Sequence, residues 1–145
     1  MGAEIDLDEL VGEGAAVVVA TRDRELRPEL GRGWGPVLSE GGARLTVCVE
    51  AGPDSVTASN LASGSPATVI LARLAAQTTV QLKGAVVEFG EPTQDRLDAV
   101  AAHVERFVAE TAAVGVPEPI ARALVGTDLL TVAVDVAERV DGRPL

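Results

Sequence analysis

The stretch Thr78 to Gly90, TTVQLKGAVVEFG, decides the fold. Its first half alternates, with Val80, Leu82 and Val86 on one face and Thr79, Gln81, Lys83 and Ala85 on the other. That is the period of a half-buried strand. After Val86 the pattern slips, so that Val87 and Phe89 take the apolar positions and Glu88 the polar one. A slip close to a glycine, here Gly84, predicts a bulge or a sharply coiled strand. Long strands that change face partway suit a small closed barrel, because each must wrap the axis while keeping one side in the core.

Working outward, five more strands and four helices follow from pattern. Asp6 caps a short helix ending near Gly12. Ala15 to Ala20 is a small, β-branched run that reads as a strand apolar on both faces. Pro28 to Leu38 is the next strand, opened by Gly31, Gly33 and Gly35, and Arg44 to Glu50 alternates with Leu45, Val47 and Val49 inward. Pro53 and Asp54 begin a weak helix through Leu61, and Ala67 to Arg73 is the fourth strand. Pro92 to Ala113 is the one long helix, with Leu97, Val100, Val104, Phe107 and Val108 on one stripe. A short helix from Pro117 to Val125 and a last strand from Leu129 to Ala137 complete the chain, with a frayed polar tail after Glu138.

These elements predict a mainly β (α+β) single domain over residues 1–145: a six-stranded antiparallel split β-barrel with flanking helices. Strands apolar on both sides need cover outside the barrel as well as inside, which predicts a homodimer.

Composition limits the partners. With 22 acidic against 12 basic residues the formal net charge is −10, which opposes the electrostatic attraction behind nucleic-acid and anionic-membrane binding. No apolar run approaches the roughly 20 residues of a membrane span. The opening MGAEIDLDEL is acidic where a secretory signal is basic and then apolar, so a cytoplasmic protein is expected. The single cysteine, Cys48, excludes an internal disulfide and a cysteine-rich metal site. No metal site and no nucleophile triad is legible.

The order of pieces, with RPELGRGWG in the second strand, SNLASGSPATVIL after a short helix and TVQLKGAVVEF in the fifth strand, resembles the pyridoxamine 5'-phosphate oxidase-like proteins, the FMN-binding split barrels. The likeness runs over nearly the whole chain. It implies a homodimer that holds FMN at the subunit interface, or a deazaflavin or haem in some branches, and a flavin-dependent oxidoreductase acting on a small molecule.

Carried onto this sequence, the resemblance places Trp34 with its neighbour Gly35 near the flavin ring, and Thr78, Thr79 and Gln81 on the strand that hydrogen-bonds it. Asn60 belongs to the Asn-Leu pair of the motif and also serves the turn there. Where relatives carry basic residues for the FMN phosphate, this chain has Val56 and Thr57, and Asp54 lies beside them. Arg32, Arg73 and Lys83, with the hydroxyls of Thr57 and Ser59, are the remaining anion-binding groups. By its residue type Trp34 reads first as a core or interface aromatic, His103 as a surface or dimer residue, and Cys48 as an unreactive thiol. Two alternatives to an oxidoreductase stay open: a non-catalytic flavin or haem module, and a barrel dimer without cofactor.

Overall fold

The computed structural model describes residues 4–143. Six strands close into an antiparallel barrel: β1 (Ala16–Arg22), β2 (Pro28–Ser39), β3 (Arg44–Glu50), β4 (Ala67–Arg73), β5 (Thr78–Gly90) and β6 (Leu129–Gly142). Around the barrel they run β1-β2-β3-β6-β5-β4. Between them lie α1 (Leu7–Gly12), α2 (Val56–Ala62), α3 (Gln94–Ala113) and α4 (Glu118–Ala123). The expected six-stranded barrel is therefore present.

The alternation of each strand fills the barrel. Val17 and Val19, Leu45 and Val47, Val69 and Leu71, Val80 and Leu82, and Val132 and Val134 all point inward and are buried. Each such side chain contributes about 1.5 to 3 kcal/mol when removed from water. Leu10 and Val11 of α1 and Leu61 of α2 join this interior. Asp6 caps α1 by accepting a hydrogen bond from the Glu9 amide, as its sequence position predicts.

Gly84 lies where β5 and β6 shift register, between Lys83 and Gly84, and a second shift falls between Val86 and Glu88. A Cβ at Gly84 would stand 1.7 Å from the Asp135 carbonyl oxygen, so only glycine permits this approach. The change of face that the sequence displays is thus two irregularities in one strand pair.

Four sequence-based expectations need correction. Ser55, not Pro53 or Asp54, opens α2: its hydroxyl accepts from the Ala58 amide, which leaves Asp54 outside the helix. Leu97 is 40% exposed and lies off the buried stripe of α3, whereas His103 is fully buried on it. The tail after Glu138 is no frayed end, because β6 pairs with β5 as far as Gly142 opposite Thr79. Polar residues sustain that extension through local pairing: Arg139 bonds Asp141 through Nε at 2.8 Å and reaches the Ile5 carbonyl.

Replacing Gly84 by alanine should force these two backbones apart and lower unfolding free energy by about 3 kcal/mol. Guanidinium titration reads the loss directly; an unchanged midpoint would mean that the strands do not need to meet there.

Candidate functional site

The long helix α3 is seated on the outside of β2 by one buried histidine. The Gly35 amide donates to Nδ1 of His103 at 3.1 Å, which fixes the proton on Nε2, and Nε2 in turn donates to the Ala15 carbonyl at 2.8 Å. Burial pushes the imidazole pKa below its ordinary value against the opposing pull of the Ala15 bond, and Arg106 adds to the depression. Two glycines let the helix backbone come close enough. A Cβ on Gly14 would meet the Arg106 carbonyl oxygen at 2.1 Å, and one on Gly35, whose φ is +66°, would meet the Val100 amide nitrogen at 2.8 Å.

Against this clamp packs an aromatic group. Trp34 is 2% exposed, lies edge-on to Phe107 at a ring distance of 5.1 Å and tilts against His103 at 5.5 Å. Its indole Nε1 donates to Glu50 Oε1 at 2.7 Å, and the same oxygen accepts the Gly126 amide at 2.7 Å. Trp34 is therefore oriented by a carboxylate.

Beside Trp34 opens an apolar cleft of about 300 Å³ between the outer faces of β1 and β2 and the helices, with Ala16, Val18, Phe107 and Leu124 among its walls. Arg32 stands at this cleft and also borders the groove formed by Val18, Leu30 and Glu50. Among the described residues no carboxylate lies within ion-pair distance of Arg32.

The structure divides the residues singled out in the sequence into three groups. Arg32 and Trp34 line the cleft, whereas Gly35 does not and its amide is bonded to His103. Thr79, Gln81 and Lys83 face outward on β5, across the same wall: Arg32 pairs with Val18, Val18 with Ile70, and Ile70 with Gln81. Three strand spacings separate Arg32 from Gln81, about 14 Å, so one copy of the chain does not bring them together.

The third group lies elsewhere. Thr78 pairs with Arg73 at the barrel end, and Arg73 is held by Glu13 at 2.5 Å, Glu110 at 3.1 Å and Glu9 at 3.6 Å. Its charge is already neutralised. On α2, Thr57 and Asn60 are buried, Asn60 bonding Thr21 Oγ1 at 3.1 Å, while Ser59 is exposed. Val56 is 57% exposed beside Asp54, so no cation marks the start of this helix.

Neither titratable side chain with catalytic promise is free in the cleft. His103 is committed on both nitrogens, and Cys48 is buried with Sγ 3.7 Å from Thr131 Oγ1, its thiol pKa raised by burial. Sequence reasoning missed His103 as the seat of α3 and Glu50 as the partner of Trp34. The single signal for His103 was its spacing of four from Phe107, which set it on the buried face.

This architecture is shared with solved structures of low identity. A protein named F420 reductase superposes with a TM-score of 0.61 at 12% identity, covering 95% of this chain and 98% of that one. A Clostridium acetobutylicum protein related to general stress protein 26, of the pyridoxinephosphate oxidase family, gives 0.58 at 12% identity over 94% and 84% of the two chains. A candidate pyridoxamine 5'-phosphate oxidase from Lactobacillus delbrueckii gives 0.56 at 14% identity over 94% and 93%. No protein-family model matches the chain, and no curated protein sequence matches it significantly. The fold is the split barrel of the pyridoxamine 5'-phosphate oxidase-like proteins. No helix among the described residues is long and apolar enough to cross a membrane.

Because the folded imidazole takes a proton less readily than the unfolded one, with its ordinary pKa of about 6.5, stability is full above that pH and falls as pH drops below it. One histidine contributes a slope of at most about 1.4 kcal/mol per pH unit as pH falls below 6.5. His103→Gln should flatten this slope in denaturant titrations at pH 5 and pH 8. His103→Ala should cost about 3 to 5 kcal/mol, since two buried backbone groups lose their partner. Equal slopes for wild type and His103→Gln would remove His103 as the origin.

Proposed function

We infer that this chain is a flavin-binding split barrel that works as a homodimer, with flavin-dependent oxidation or reduction of a small molecule as its activity. The observation that carries this reading is the cleft itself: an apolar slot floored by an oriented indole and edged by an arginine without a carboxylate partner. Such a slot suits a flat heteroaromatic ring with a polar or anionic end. The likeness of the barrel to proteins named as a reductase and as members of the pyridoxinephosphate oxidase family supports the same class.

The residues fit the ring better than the phosphate. Arg73 is bound to three carboxylates, and the start of α2 presents Val56 and Asp54 rather than cations. Trp34 and Arg32 would hold the ring and its anionic end, with Lys83 as a further cation. A bound flavin supplies reversible two-electron chemistry; the chain binds it, shields it from water and orients it.

A second copy completes the arrangement. Leu30 is 63% and Val140 60% exposed on the wall that carries Val18, Ile70 and Gln81. In an isologous pair this wall faces its own copy, so Thr79 and Gln81 of β5 lie opposite the slot of the other subunit and reach a ring that they cannot reach within one chain. The non-catalytic flavin or haem module is favoured by one observation: the slot lacks a free acid or base, with His103 and Cys48 both buried.

Quenching of the single tryptophan on titration separates these readings. FMN and riboflavin should both quench Trp34, with dissociation constants within tenfold of each other, and Arg32→Ala should weaken FMN more than riboflavin. Oxidation of a reduced nicotinamide by the loaded protein supports the oxidoreductase, and binding without turnover supports the module. Absence of quenching by either flavin at tens of micromolar sinks both. Light scattering should give a dimer at micromolar concentration; a stable monomer would contradict the two-subunit site.

A further inference from the structure

A second cleft, of about 360 Å³, opens at the other end of α3, between the outer faces of β3 and β6, the end of β5 and the first turn of the helix. Arg44, Thr46, Phe89, Arg96 and Thr131 line it, with Glu88 and Glu91 on the same wall. It shares no lining residue with the apolar cleft at Trp34.

Its two arginines differ. Arg44 donates through Nε to Asp135 Oδ1 at 2.8 Å and is neutralised. Arg96 has no carboxylate within ion-pair distance among the described residues, and its Nη1 is closed off from water without a hydrogen-bond acceptor. A guanidinium stays charged at every relevant pH, so shielding one of its nitrogens without a partner is unfavourable. Native proteins leave few such groups; Arg73 Nε and Arg106 Nε share this state, but of the three arginines Arg96 is the one at this cleft.

The rest of the lining limits what Arg96 would hold. Glu88 and Glu91 oppose a second negative charge, which disfavours a phosphate dianion and favours a singly charged oxyanion. Thr46 and Thr131 bring hydroxyls that can donate to it. Phe89, 43% exposed, supplies an apolar surface at the same cleft.

We propose that this cleft is a binding site for a small organic carboxylate, held by the Arg96 guanidinium and the hydroxyls of Thr46 and Thr131, with its apolar part against Phe89. On binding, the Arg96 guanidinium and the carboxylate exchange water for a charge-assisted pair.

The test uses the full-length protein, isotope-labelled for amide NMR, with three probes at pH 7 and low salt: benzoate, its neutral isostere benzamide, and inorganic phosphate. Benzoate should shift the amides of Thr46, Gly90 and Thr131 saturably, with benzamide at least tenfold weaker and phosphate weaker than benzoate. Arg96→Gln should weaken benzoate about tenfold or more, Arg96→Lys less so, and Arg32→Gln in the other cleft not at all. Equal binding of benzoate and benzamide overturns the proposal, as do tighter binding of phosphate, an unaltered Arg96→Gln with its amide spectrum otherwise intact, or no saturable shift with benzoate. If Arg96→Gln fails to fold, Arg96→Lys and the benzoate-to-benzamide ratio in wild type decide. Flavin titration at Trp34 is independent of every one of these outcomes.

Discussion

The contact on which the rest depends is the pair of hydrogen bonds that His103 makes across three elements. One imidazole joins the Gly35 amide of β2 to the carbonyl of Ala15, the residue before β1, while belonging to α3. Both backbone groups are buried, and a buried backbone group without a partner is costly. The histidine therefore does more than fill space: it gives α3 one seating on the barrel, at one depth and one rotation. Glycine at 14 and 35 is the complementary condition, since a Cβ at either would strike the helix backbone. A helix on a smooth apolar sheet could slide along it; this one cannot.

That seating decides what becomes of the barrel's outer surface. With α3 on β2 and β3, Trp34, Cys48, Val100 and Phe107 form a second core outside the barrel. Trp34 is thereby turned from a surface aromatic into the floor of a cleft, and Glu50 holds its indole nitrogen. The wall of β1, β4 and β5 lies beyond the helix and carries the polar row of Thr79, Gln81 and Lys83 beside Leu30 and Val140. A single structural decision thus divides the outside into a covered half with small clefts and an open half.

The barrel itself was legible because its strands obey a period of two, and the slip near Gly84 marked β5 as an irregular strand. The seat of α3 was not legible. His103 falls between Val100 and Phe107 in helical spacing, but periodicity registers hydrophobicity and cannot register a hydrogen bond to a strand far away in sequence. Gly14 and Gly35 read as a loop and a loose strand for the same reason: the space a glycine leaves is visible only when something else occupies it. The polar end of β6 misled because charged residues at a strand end normally signal solvent, whereas Arg139 and Asp141 satisfy each other there. At the candidate site, Trp34 and Arg32 stood out in the sequence through rarity and charge, while Glu50 and Arg96 did not, being ordinary residues made special by their neighbours.

Charge pairing links the two clefts. In this acidic chain five of the eleven arginines pair with acids as follows: Arg27 with Asp23, Arg44 with Asp135, Arg73 with Glu9, Glu13 and Glu110, Arg122 with Glu105 and Glu118, and Arg139 with Asp141. Exposed pairs of this kind add little stability individually, yet together they remove cations from general use as anion sites. Arg73 is the clearest case, since a strand-end arginine that sequence alone offers to a phosphate is already surrounded by three carboxylates. With acids in excess, a cation left unpaired beside a cleft is held away from them by the fold. Arg32 meets that condition at the apolar slot near Trp34 and Arg96 meets it at the cleft near Phe89. The distribution of unpaired cations, rather than the total charge, decides where an anionic ligand would meet a favourable potential on a molecule whose overall field repels it.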